Sequence, residues 1–170
     1  MITIEVKNKE VLDVLHQMVS RMHDLRPALK EIGEDMVEST KRRFVTATAP
    51  DGTPWEANSP VTLERYLGVF VNSHKKDGTL SKAGEKRLGN KKPLTGETHA
   101  LAGGINYQVN GSSSVGIGSP MVYAAMQHFG GTTEQFPHLW GDIPARPILG
   151  VSDADSANIV DIVSSYLVAD

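Results

Sequence analysis

The chain has 170 residues, 39% of them hydrophobic and 22% charged, with a net charge of -3 and no cysteine. That length suits one domain with an ordinary core, and the acidic balance argues against bulk affinity for nucleic acid. The missing cysteine removes disulfides, thiolate metal sites and cysteine nucleophiles together, and fits folding in a reducing cytoplasm.

The opening, MITIEVKNKE, lacks the basic patch and apolar block of a secretory signal. No apolar run approaches the roughly 20 residues that span a bilayer, so neither export nor membrane insertion is expected. Ile2, Ile4 and Val6 repeat with period two and predict a first strand. From Val11 the period changes. Val11, Val14, Leu15, Met18, Val19, Met22 and Leu25 fall at helical spacing behind Asn8 as a candidate cap, and this stripe is expected to be core. Pro27 suits the start of a second helix whose stripe is Leu29, Ile32, Met36, Val37 and Phe44, ending near Arg43 or Phe44. The join is short, so the two helices either pair antiparallel or form one helix kinked at Pro27. His16 and His23 stand two turns apart on the first helix, and without a third ligand they read as solvated flank residues.

Asp51-Gly52-Thr53-Pro54 is a turn by residue chemistry, and it delivers Trp55 either as an anchor under a loop or as an interface residue. Residues 70–93 read as a long mobile loop. Within it, His74 to Lys92 carries Lys75, Lys76, Lys82, Lys86, Arg87, Lys91 and Lys92 against Asp77 and Glu85, a local charge of +5. Such a run is either a contact for phosphate or an acidic partner, or a solvated loop, and no aromatic residue is interleaved for base stacking.

Ile105 to Val109 alternates, Asn110-Gly111 is a strong hairpin dipeptide, and Val115 and Ile117 resume the alternation, which predicts a β-hairpin. Gly116 and Gly118 belong to no phosphate-binding glycine motif. Pro120 to Leu149 follows, reading PMVYAAMQHFGGTTEQFPHLWGDIPARPIL. Val122 to Phe129 predicts a helix of one to two turns stopped at Gly130-Gly131. Pro144 and Pro147 then force an extended path into a strand at Ile148 and Leu149. Finally Ser152 to Asp155 has the form of a capping box, and Ile159, Ile162, Val163, Tyr166 and Leu167 line one face of a C-terminal helix.

Together these elements predict one α+β domain over residues 1–170. Its small, mainly antiparallel sheet carries two N-terminal helices and a C-terminal helix. His128, His138 and Asp142 are the candidates for a metal or acid-base cluster, but no fixed spacing holds them together. Neither catalysis nor a cofactor is expected. A second reading takes the chain as a small DNA-associated or metal-assisted hydrolytic protein, with the basic loop on phosphate and His128 or His138 at its centre.

YAAMQHFGG, from Tyr123, followed by IPARPILG, from Ile143, resembles the signature of the virion-morphogenesis, or tail-completion, proteins of tailed bacteriophages. Phe44 with DGTPW, the LTG of Leu94 to Gly96 and the VGIGS of Val115 to Ser119 fit the same family in the same order. The resemblance implies a structural virion component that completes the tail at its head-proximal end, as a ring of six copies, without chemistry. It implies contacts with further copies and with tail-tube, terminator or neck proteins, in the tail or neck of the virion, after assembly in the host cytoplasm. DNA passing the lumen would meet the basic loop without specificity. Trp55, Tyr123, His128, Phe129, Trp140 and Arg146 are then the candidate contact residues.

Overall fold

A computed structural model describes residues 8–139 and 141–168. The expected strand over Ile2, Ile4 and Val6 lies outside those residues, as does Trp140. The described elements are α1 (Lys9–Met22), α2 (Arg26–Thr46), α3 (Pro60–Gly68), α4 (Lys82–Asn90), α5 (Ala100–Gly103), β1 (Asn106–Asn110), β2 (Ser114–Gly118), α6 (Ala124–Phe129) and α7 (Asp153–Val168). The class is α+β with a small antiparallel sheet.

The chain divides into two compact units. One comprises Met1–Ser39, Asn106–Gly118 and Val151–Asp170, and the other Thr40–Ile105 and Ser119–Gly150, so α2 contributes to both.

In the first unit, Ala28, Ile32 and Met36 on α2 form a buried cluster with Ile162 on α7, and Val115, Ile117, Ile159, Val163 and Tyr166 pack against it. The hairpin is the expected one: Asn106 pairs with Gly118 and Asn110 with Ser114, and Gly111 takes the positive φ of 65° that the turn needs. Gly33 is required for a different reason. A Cβ there would stand 2.3 Å from the Tyr107 ring, so only glycine lets that ring lie against α2. The capping box is real and reciprocal. Asp155 N–H donates to Ser152 Oγ at 3.1 Å, and Ser152 N–H donates to Asp155 Oδ2 at 2.8 Å. The buried Asp155 also accepts from Ser39 Oγ at 2.5 Å, which ties the start of α7 to α2.

Two expectations about α1 are corrected. Its neighbour is α7 rather than α2, with Arg21 donating to the carbonyls of Tyr166 and Leu167 at 3.3 Å each and Tyr166 donating to the carbonyl of Asp24 at 2.6 Å. Its apolar stripe is not core, since α1 has no buried side chain. Asn8 holds the N-cap position without a side-chain cap bond.

The second unit holds the corrections to the middle of the sequence. The stretch read as a loop from 70 to 93 contains α4, whose first turn is capped by Ser81 Oγ accepting from Gly84 N–H at 3.0 Å. Before it, an isolated antiparallel bridge joins His74 to Leu80 around the Asp77-Gly78 turn. Gly84 lies against the carbonyl of Ser73, where a Cβ would come within 2.1 Å of the oxygen. α3, which the sequence reading passed over, starts at Pro60 behind the N-cap Ser59. Ile148 and Leu149 join no ladder, and Leu149 lies in a bend, so the expected final strand is absent among the described residues. In its place, Gly131 and Ile143 form an isolated bridge with both backbone bonds made, at 2.9 and 2.8 Å.

Candidate functional site

Within the second unit, the extended segment Ile143–Leu149 is gripped from several sides, mostly through its main chain. Arg43, buried near the end of α2, donates from Nη1 to the carbonyl of Ile148 at 3.0 Å. Trp55, delivered by the Asp51–Pro54 turn, donates from Nε1 to the carbonyl of Pro147 at 2.8 Å, and its ring meets Phe44 edge-on at 5.3 Å. From α6, the Gln127 carbonyl accepts from Arg146 N–H at 3.0 Å. His128 Nδ1 accepts the N–H groups of Ile148 at 3.1 Å and Leu149 at 3.3 Å. An acceptor at Nδ1 places the proton of the neutral ring on Nε2. Burial lowers the pKa of His128, and the two donors facing Nδ1 favour the same neutral form.

Arg146 turns back from this segment into the unit. Its Nε donates to the carbonyl of Glu56 and its Nη2 to that of Ala57, both at 2.8 Å. Burial lowers its pKa, partly offset by the Glu56 carboxylate, and guanidinium stays charged because its ordinary value is so high. Gly130 makes the close approach possible: its φ is 74°, and a Cβ would stand 2.7 Å from Ala145 N and from Ile143 O.

The expected contact residues therefore separate into two groups. Trp55 and Arg146 are each only 6% exposed and bind main-chain carbonyls of their own unit. His128 is half-buried and accepts main-chain N–H groups of the same unit. Tyr123 and Phe129, at the two ends of α6, are 46% and 75% exposed, and Val122 beside them is 98% exposed. Between α6 and the segment after α4 lies a cleft of about 430 Å³ whose lining includes Lys91, Lys92, Tyr123, Gln127, Asp142 and Arg146.

The basic residues separate as well. Lys75, Lys76, Lys82 and Lys86 are exposed. Arg87 stacks on Phe70 at 4.4 Å and donates to Ser73 Oγ, Lys91 lies over the Tyr66 ring at 4.5 Å and reaches the carbonyl of Thr95, and Lys92 reaches the carbonyl of Val45.

His128, His138 and Asp142 are not brought to one centre. Asp142 Oδ1 accepts from Thr133 N and Oγ1, His138 is exposed with its ring edge-on to Phe136, and no group of three His, Asp or Glu able to hold a metal occurs among the described residues. No described helix is long and apolar enough to cross a membrane.

A family model of the phage virion morphogenesis family matches residues 6–168. The chain belongs to that family. The stretches that carried the resemblance, YAAMQHFGG and IPARPILG, are the two sides of the grip just described, α6 and the segment it holds. Comparison with curated proteins and with solved structures finds no match.

The sequence reading missed Arg43, which it placed only as the end of a helix. Arg43 follows Lys41 and Arg42 at the end of a helix, where basic residues commonly meet the dipole, so nothing in the sequence singles it out.

Proposed function

We propose that this member of the phage virion morphogenesis family completes the tail at its head-proximal end, as a ring of six copies, and performs no chemistry. The observation that carries the reading is the family match over nearly the whole chain. The exposed Tyr123 and Phe129 support it, because aromatic side chains mounted on a rigid support are what an assembling surface uses. They sit on α6, whose C-terminal end is bonded to the extended segment through Gln127 and His128.

The partners on this reading are further copies of the chain and the tail-tube, terminator or neck proteins of the virion. A ring contact is heterologous and closes by rotation, so each copy offers two different surfaces. The exposed Lys75, Lys76, Lys82 and Lys86 supply non-specific phosphate contact for DNA in the lumen.

The test is complementation in an infected-cell extract that lacks this protein. Added purified protein is expected to restore joining of tails to filled heads, and a Phe129→Asp variant that folds normally is expected not to. Tails that join heads equally well without the protein overturn the reading.

A further inference from the structure

α1 segregates its residues more sharply than one neighbour can use. At 3.6 residues per turn its seven apolar side chains, from Val11 to Met22, occupy an arc about 160° wide, and Lys9, Glu10, Asp13, His16, Gln17, Ser20 and Arg21 take the rest. α7 lies along one edge of that arc, where Met18 and Arg21 are half-buried. The remainder is open: Val11 is 60% exposed, Leu15 49%, Val19 54% and Met22 62%, with Leu12 at 44% beside them.

We infer that two copies of this protein pair through α1, packed antiparallel on the row Val11, Leu15, Val19 and Met22. Three observations select a second copy as the occupant. The row is spaced nearly evenly, so a copy turned end over end sets Val11 against Met22 and Leu15 against Val19. Antiparallel packing opposes the two helix dipoles, whereas parallel packing aligns like ends. The open apolar residues expose roughly 500 Å² per copy, so a pair buries at most about 1,000 Å², the lower bound for a specific interface. Pairing is therefore weak, with dissociation on the order of micromolar. This contact is two-fold and stops at two copies, so it is separate from the ring contact and does not depend on it.

The test is light scattering of the full chain over a concentration series from about 1 to 300 μM, a range that brackets the weak affinity expected of so small an interface. The wild type is expected to rise from one chain mass to two. Leu15→Glu is expected to stay at one with its helical circular dichroism intact, and Gln17→Glu, on the polar face, to pair like the wild type. Because Leu15→Glu also puts α1 folding at stake, cross-linking gives an independent readout in a chain that has no other cysteine. A short bis-maleimide is expected to join Val11→Cys protein to Met22→Cys protein when the two are mixed, and to join neither efficiently to itself. A wild type that stays at one chain mass throughout overturns the inference, as does one that pairs only after residues 1–7 are removed. So does efficient self-joining of Val11→Cys, or an oligomer larger than two that Leu15→Glu dissolves. A larger oligomer that survives Leu15→Glu, without the mixed cross-link, supports the ring and overturns the α1 pair.

Discussion

The indole N–H of Trp55 reaches the carbonyl of Pro147 at 2.8 Å across 92 residues of chain. That bond joins the DGTPW turn to the extended IPARPIL segment, two motifs that sequence alone could only place in order. Trp55→Phe keeps most of the ring packing and loses the donor, and is expected to cost about 1 kcal/mol. Trp55→Ala also opens a cavity against Phe44 and is expected to cost about 3 to 5 kcal/mol. Urea denaturation measures both, and an unchanged stability in Trp55→Phe would show that the hydrogen bond is irrelevant.

Arg146 is held by two carbonyls at 2.8 Å, so its replacement is expected to act on the fold before it acts on any assembly contact. Arg146→Ala should destabilise by about 2 to 4 kcal/mol, in line with losing two charge-assisted bonds and the packing of the side chain. Arg146→Lys should recover less than half, because an ammonium cannot reproduce the planar fork. A folded, fully stable Arg146→Ala protein in the same denaturation assay would return this residue to the list of surface contacts.

His128 predicts a pH dependence whose sign follows from its environment. Burial holds its folded value below the ordinary 6.5, so between that lowered value and 6.5 the unfolded chain binds a proton that the folded chain refuses. Its contribution to stability is thus complete above pH 6.5 and is lost as the pH falls through the folded value. The urea midpoint is expected to drop between pH 7.5 and pH 5.5, an interval chosen to straddle the unperturbed histidine range. In His128→Gln that drop should shrink while the midpoint at pH 7.5 is already lower. An unchanged slope in the variant assigns the dependence to other groups.

Gly130→Ala tests the backbone directly. The added methyl meets main-chain atoms at 2.7 Å, and φ is 74°, so neither a rotamer change nor a small shift relieves it. The expected loss is more than about 1 kcal/mol. Gly131→Ala makes a useful comparison, since the added Cβ meets the far atoms of Met126 and Phe136, which can move. It should be milder by thermal denaturation.

Phe129→Asp is the converse case. With the ring 75% exposed, the substitution is expected to change stability by no more than about 0.5 kcal/mol. A large loss of stability would mean that the ring is covered within the chain.

How legible this was in the sequence depended on whether a signal was local. The hairpin at Asn110-Gly111, the Ser152–Asp155 capping box and the stop at Gly130 each rest on two to four adjacent residues, and each is present as read. α3 carried an equally local signal, Ser59 followed by Pro60, but its helix is only nine residues long. α4 was hidden by composition, since it carries two glycines and a single large apolar residue, Leu88, and only the Ser81 cap marks its start. The α1 stripe shows the deeper limit. Periodicity gives the shape of an apolar face without saying what covers it. The grip on residues 143–149 was out of reach for a similar reason, because its partners are main-chain atoms and leave no complementary side chain to recognise.

That last property has an evolutionary side. Arg43, Trp55 and His128 recognise carbonyl and N–H groups, which every residue type presents alike, apart from the missing N–H of proline. Ala145, exposed on the held segment, can therefore be exchanged with little consequence for its path, provided the buried Arg146 and Ile148 are kept. A segment held in this way can change its outward residues while the support beneath them stays the same.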